Sequence, residues 1–123
     1  MLKRNSFLPS ETLSKIVVQG MQEKKADDIV VLDLRHVPNS IADFFVICSG
    51  TSDTQVSAIS ESIEEFVLNS DQQDPWHKEG QGNNEWVLLD YVDVVAHVFK
   101  NERRSFYALE DLWGDAIVTK IAS

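Results

Sequence analysis

The first third of the chain contains a helix pattern followed by a strand pattern. After Ser10, the expected N-cap, apolar residues recur at helical intervals, and this predicts an amphipathic helix that ends near Lys24. The stretch 29–34 is rich in β-branched residues, with its even-numbered apolar residues on one side and Asp33 on the other. It is therefore predicted to be a strand with one apolar face.

A strand, a tight turn and a helix are predicted next. The continuous apolar run 44–48 is typical of a strand buried on both faces, which predicts a central position in a sheet. The turn 49–52 follows, and Ser52 with Gln55 matches a capping box. The following apolar residues recur at helical intervals through Val67, so this turn is expected to start a second helix.

The second half of the chain contains shorter strand patterns. Residues 76–79 are interpreted as a short strand, and 86–91 and 94–99 as two strands joined by a two-residue hairpin turn at 92–93. A last helix pattern ends at Gly114, a residue type that favours a helix C-terminus. The strand patterns therefore predict a hairpin that a third short strand precedes in the chain.

Length and composition favour one globular domain. The chain has 123 residues, of which 43% are hydrophobic and 25% charged, so it can bury a single core. We predict a mixed α/β domain over residues 10–114, with one mixed sheet of about five strands and packed helices, between an N-terminal tail at 1–9 and a C-terminal tail at 115–123. No apolar run is long enough to span a bilayer, and a cytoplasmic protein is expected.

The charge balance narrows the class of partner. Acidic residues outnumber basic residues by 20 to 11, which gives a net charge of −9. This charge repels a phosphate backbone, so direct specific binding of nucleic acid is not expected. A basic protein is the more favourable partner, because opposite net charges accelerate the encounter of two proteins.

The predicted hairpin has one apolar face and one mixed face. Pairing across the 92–93 turn places Val87, Leu89 and Tyr91 on the apolar side, which predicts the core. The mixed side consists of Trp86, Leu88, Asp90, Val95, His97 and Phe99. Such a face resembles a binding surface, because interfaces combine aromatic anchors with a few polar groups. The alternative, given equal weight, is that its aromatic residues pack beneath a helix with the polar residues at the rim.

Several blocks of sequence resemble, in chain order, the ribosomal silencing factor (Iojap-like) family. The blocks are DLR at 33–35, SIADFFVI at 40–47, SGTS at 49–52, QVSAI at 55–59, EG at 79–80, WVLLDYVDVVAHVF at 86–99 and RSFYALEDLW at 104–113. Ordered blocks over nearly the whole chain are more specific than a lone motif. One departure is Val92, which stands where many family members have glycine.

The resemblance implies a fold similar to that of nucleotidyltransferases without their catalytic site. It implies a translational repressor, not an enzyme, that binds the large-subunit ribosomal protein number fourteen (uL14) and blocks joining of the small subunit; a homodimer is a further expectation. The family's partner surface includes a hairpin tryptophan and the next aliphatic residue, here Trp86 and Val87. The predicted partner-binding residues are Trp86, Val87, Leu88, Asp90, Asp93 and His97.

The alternative function is that of a metal-dependent nucleotidyltransferase. The turn 49–52 resembles the place where such enzymes hold a phosphate at a helix N-terminus. These enzymes also need carboxylates that converge on magnesium from alternate positions of one strand. The candidates Asp33, Asp43, Asp90 and Asp93 lack that spacing, and the histidines and the single cysteine lack the spacing of a zinc site. No catalytic residue, metal or cofactor is therefore predicted.

Overall fold

The protein is a mixed α/β domain in which helices pack on a mixed sheet. The computed structural model describes residues 8–101 and 115–122, and the helix predicted to end at Gly114 lies outside them. In the described part, helices α1 (Ser10–Glu23) and α2 (Asp53–Asp71) accompany six strands. The strands are β1 (Asp27–Asp33), β2 (Phe44–Gly50), β3 (His77–Glu79), β4 (Trp86–Asp90), β5 (Val94–Lys100) and β6 (Ile117–Lys120).

The six strands form one sheet in the order β3-β4-β5-β2-β1-β6. Strands β2 and β5 run parallel, whereas the other neighbouring pairs are antiparallel. The predicted fold class, a single mixed sheet with packed helices, is confirmed. The sheet has one strand more than expected, because residues assigned to the C-terminal tail form β6 along the edge of β1. All four residues of β6 are exposed, so its sequence carries no core signal.

Strand β2 is the centre of the sheet, as predicted. All of its residues are buried, and its side chains alternate between two apolar clusters. Val46 and Cys48 belong to the cluster beneath the helices, whereas Phe45 and Ile47 belong to the cluster on the other face. An apolar strand of this kind is stable only when both faces are covered.

The two helices approach closely at Gly20. A Cβ atom built on Gly20 would lie 2.8 Å from the Cα of Ile63 and 3.2 Å from the carbonyl oxygen of Ser62. The buried hydroxyl of Ser62 donates a hydrogen bond of 2.8 Å to the carbonyl oxygen of Gly20. The missing side chain therefore lets both helices seat their apolar faces in one core, through Leu13, Val17, Met21, Val56, Ile59, Ile63 and Val67.

The predicted cap is present at α2 but wrong at α1. The Ser52 hydroxyl accepts a hydrogen bond from the Gln55 N–H at 3.1 Å, and the Gln55 side chain accepts one from the Thr51 N–H at 2.6 Å. Helix α1 instead has Pro9 at its N-cap, without a side-chain cap. The Ser10 hydroxyl donates to Asp43 Oδ2 at 2.8 Å. The side chain that was expected to cap α1 therefore binds a residue distant in sequence.

The β4–β5 hairpin has the predicted register but a strained turn. The Tyr91 N–H donates to the Val94 carbonyl at 2.9 Å, and the Asp93 N–H donates to the Tyr91 carbonyl, also at 2.9 Å. The second bond closes a three-residue γ-turn in which Val92 has a φ of +76°. Positive φ is unfavourable for a β-branched residue, so this turn stores strain that glycine would not.

Replacing Gly20 by alanine tests the close helix approach. Intrinsic helix propensity favours Gly20→Ala by roughly 1 kcal/mol, whereas separating α1 from α2 costs ~1–3 kcal/mol, so we expect net destabilisation and a melting temperature several degrees lower. Thr12→Ala, at an exposed position of the same helix, is the matched control and should not lower it. Equal melting temperatures for Gly20→Ala and wild type would show that the helices have room for a methyl group.

Replacing Val92 tests the strain in the turn. Val92→Gly removes a Cβ from a residue with positive φ, and we expect a net stabilisation of about 1 kcal/mol after the greater chain entropy of glycine is counted. Val92→Ala should gain less, because alanine keeps the Cβ. Urea denaturation of the three proteins measures the difference, and a glycine variant no more stable than the alanine variant would contradict the strained turn.

Candidate partner-binding site

The mixed face of the hairpin lies on the side of the sheet opposite α1 and α2. We call it the second face and define it by Trp86, Leu88 and Asp90 of β4 with Val95, His97 and Phe99 of β5. The alternate residues of both strands belong to the helix-side core, as predicted: Val87, Leu89, Val94, Ala96 and Val98. The division of the hairpin into a core face and a mixed face is therefore confirmed.

Aromatic rings are packed together on the second face. The rings of Trp86 and Phe99 stack with centroids 5.2 Å apart, and Phe99 in turn lies 6.3 Å from the nearly parallel ring of His97. Phe45 of β2 meets His97 edge-on at 4.8 Å. Phe99 is fully buried, whereas Trp86 is half-buried at the margin. The sheet thus presents a tryptophan whose ring plane is held by a buried neighbour.

A hydrogen bond joins Trp86 to His97. The indole Nε1–H donates to His97 Nδ1 at 3.0 Å. His97 is only 3% exposed, and burial lowers its pKa to about 4, so the imidazole is neutral at ordinary pH. Because Nδ1 accepts, the proton of the neutral ring is on Nε2. Among the described residues, Nε2 has no hydrogen-bond partner.

Strand β3 adds residues that the sequence had not assigned to this face. Its register places His77 opposite Asp90 and Glu79 opposite Leu88, so His77 and Glu79 lie on the second face. Both side chains are exposed, and His77 Nε2 is 2.7 Å from Glu79 Oε2. The accessible part of the face is therefore a half-buried tryptophan and leucine beside carboxylates. Because neighbouring side chains of a strand point to opposite faces, the sequence could place His77 and Glu79 on the same side of β3. Which side that is depends on the pairing of β3 with β4, which the sequence did not give.

The structure brings only some of the predicted site residues to this surface. Trp86, Leu88 and Asp90 are half-buried on the second face, but Val87 is fully buried against the helices and His97 is buried beneath Trp86. Asp93 lies in the turn, where partial desolvation of its carboxylate and, secondly, the nearby charge of Asp43 raise its pKa. A direct partner contact by the Val87 side chain would need this strand to leave the core.

The parts that a nucleotidyltransferase requires lie far apart. The turn 49–52 begins within the last two residues of β2, whereas Asp43 precedes the first residue of that strand. The Asp43 N–H donates to the Asp93 carbonyl at 2.8 Å. A strand of this length separates its ends by ~20 Å. At the turn, the Thr51 N–H and the Gln55 N–H are bonded to the protein's own side chains. The turn that could hold a phosphate and the carboxylates that could hold magnesium therefore lie at opposite ends of β2.

The described ranges, 8–101 and 115–122, contain no group of three or more histidine, cysteine, aspartate or glutamate residues arranged to hold a metal ion. Nor does any helix in them have the length and apolar character needed to cross a bilayer. The single cysteine, Cys48, is buried in β2 and is a small residue of the helix-side core.

Comparisons with known proteins identify the family. A family model described as "Ribosomal silencing factor during starvation" matches residues 8–123. The ribosomal silencing factor RsfS of Bacillus subtilis is 42% identical over 108 residues, which cover 86% of this chain and 88% of that protein. The chloroplastic protein Iojap of Zea mays is 34% identical over 103 residues, covering 81% of this chain and 42% of that protein.

A solved structure agrees with the sequence comparisons. The crystal structure of a Chromobacterium violaceum protein superposes with a TM-score of 0.81 at 28% identity, covering 94% of this chain and 95% of that one. The arrangement of helices and strands described above is thus shared with an experimentally determined fold. Since the family model spans almost every residue and the bacterial relative aligns over most of both chains, this chain belongs to the ribosomal silencing factor family.

Proposed function

We propose that the protein binds uL14 on the large ribosomal subunit through the second face and thereby prevents joining of the small subunit. The observation that supports this most is the half-buried Trp86, which is stacked on Phe99 and bonded to His97 at the accessible margin of the second face. Tryptophan is enriched among the residues that dominate binding energy, because it buries a large rigid surface. Family membership supplies the ribosomal context.

The surroundings of Trp86 suit a basic partner. Leu88 extends the apolar contact along β4, and Glu79 and Asp90 place carboxylates around it. The net charge of −9 adds long-range attraction toward a basic protein and repulsion from bare RNA. The apolar centre would then supply affinity, whereas the acidic rim would supply the rate of encounter and the choice of partner.

Repression in this proposal needs no chemical reaction. A folded chain of 123 residues is roughly 30 Å across, given the usual scaling of domain size. If it occupies uL14 on the intersubunit face, it keeps the small subunit beyond contact distance by volume alone. In this proposal the protein acts in the cytoplasm as a stoichiometric repressor of translation. A homodimer is a further expectation from the family.

Sucrose-gradient sedimentation of purified subunits tests the proposed function. With the protein added, we expect it to comigrate with the large subunit and the fraction of joined ribosomes to fall as its concentration rises. Adding the small subunit first should reduce the effect, because the two compete for one face. Comigration with the small subunit alone, or an unchanged fraction of joined ribosomes at saturation, would refute the proposal.

Truncating Trp86 tests the proposed surface. If Trp86 contacts the partner, Trp86→Ala should keep a cooperative melt yet weaken binding to isolated uL14 by a factor of roughly 30 or more. Leu89→Ala should do the opposite, because it opens a cavity in the helix-side core and costs ~2–5 kcal/mol of folding. The matched control is Trp76→Ala: Trp76 is 73% exposed, so its loss should change neither property much.

Thermal denaturation and binding are measured on the same preparations of each variant. Loss of the melting transition in Trp86→Ala, with full affinity in the folded fraction, would place Trp86 in the core and not on the partner surface. Equal losses of affinity in Trp86→Ala and Trp76→Ala would move the proposed surface toward the β3 edge of the sheet.

A further inference from the structure

His97 is a polar side chain in apolar surroundings. It points into the cluster that contains Phe45, Ile47 and Phe99, and it is 3% exposed. Burial of this kind is unusual for a side chain with two ring nitrogens, since each nitrogen requires a hydrogen-bond partner when water is excluded. The contacts of its two nitrogens therefore show what the residue contributes.

The two nitrogens of His97 have different environments. Nδ1 accepts the indole N–H of Trp86 at 3.0 Å, whereas Nε2, which carries the proton, is buried without a hydrogen-bond partner among the described residues. A buried donor without a partner costs free energy on folding. A leucine or phenylalanine would fill the same volume without that cost. Stability alone therefore does not account for a histidine here.

The Nδ1 bond adds a constraint on Trp86 that stacking cannot supply. Phe99 stacks on the indole with an interplanar angle of 25°, which restricts the plane of the ring but is compatible with a half-turn about the Cβ–Cγ bond that exchanges its edges. A hydrogen bond to Nε1 fixes which edge of the indole points inward and which edge points outward. Together, the two contacts leave the half-buried tryptophan in one orientation.

We propose that His97 is a positioning residue that holds Trp86 in the orientation in which the partner protein meets it. The inference rests on the proposed function, because it assigns Trp86 to the partner surface. An anchor that is already ordered in the free protein loses less conformational entropy on binding, so the same contacts give a higher affinity. His97 itself stays beneath the surface and touches no partner atom.

The chain offers a matched pair of substitutions. His97→Leu removes the acceptor and fills the apolar site, whereas His97→Asn places an amide oxygen near the position of Nδ1 and can still accept from the indole. We expect His97→Leu to melt at or above the wild-type temperature and yet to bind uL14 about fivefold to tenfold more weakly. His97→Asn should recover most of that affinity, even though it is the less stable variant.

A double-mutant cycle shows whether the effect passes through Trp86. In a Trp86→Phe background, which lacks the indole N–H, His97→Leu should cause no further loss of affinity. An additional loss as large as in the wild-type background would overturn the proposal, because His97 would then act on binding by another route. Unchanged affinity in His97→Leu itself would overturn it as well.

Nuclear magnetic resonance of the free protein keeps this test separate from the test of the proposed function. The indole N–H signal of Trp86, assigned by its loss in Trp86→Phe, should move and broaden in His97→Leu but stay close to its wild-type position in His97→Asn. An unchanged signal in His97→Leu would refute the positioning role without any partner present. If the signal behaves as expected but Trp86→Ala binds normally, the proposed partner surface fails and the orientation of Trp86 by His97 stands.

Discussion

Burial of β2 on both faces is the constraint on which the rest of the structure depends. The strand contributes side chains to two apolar clusters, so the sheet has to be covered on each side. On one side, the covering is the helix pair, which can lie close together because Gly20 has no side chain. On the other side, Phe45 and Ile47 of β2 form one apolar cluster with Phe99 of β5. The hairpin therefore carries aromatic residues on this face.

The second face combines burial with a small polar feature. Phe99 and Val95 stabilise it by removing apolar surface from water, whereas the Trp86–His97 hydrogen bond gives direction to the tryptophan at its margin. A neutral imidazole in which one nitrogen has no hydrogen-bond partner within residues 8–101 and 115–122 costs stability, and proteins retain such costs mostly where function requires a defined geometry. What the structure defines on this face is therefore the orientation of the Trp86 side chain.

A motif that resembles part of an enzyme site does not by itself determine a function. The turn after β2 has the position of a phosphate cradle, yet Gln55 and Ser52 use the available N–H groups to cap α2. The carboxylates gather at the other end of the strand, where Asp43 and Asp93 lie near each other and repel. The described residues therefore do not combine a phosphate cradle with carboxylates at one place.

The sequence by itself determined the elements whose signals are local. The apolar run of β2 required a central strand, alternation along the hairpin separated Val87 from Trp86, and the Ser52 cap marked the start of α2, because each depends on residues that are neighbours in the chain. Three features became known only from the tertiary structure. They are the pairing of β6 with β1, the hydrogen bond from the Ser10 hydroxyl to Asp43, and the hydrogen bond from the Trp86 indole to His97. These features depend on contacts between residues distant in sequence, whose distances no periodicity encodes.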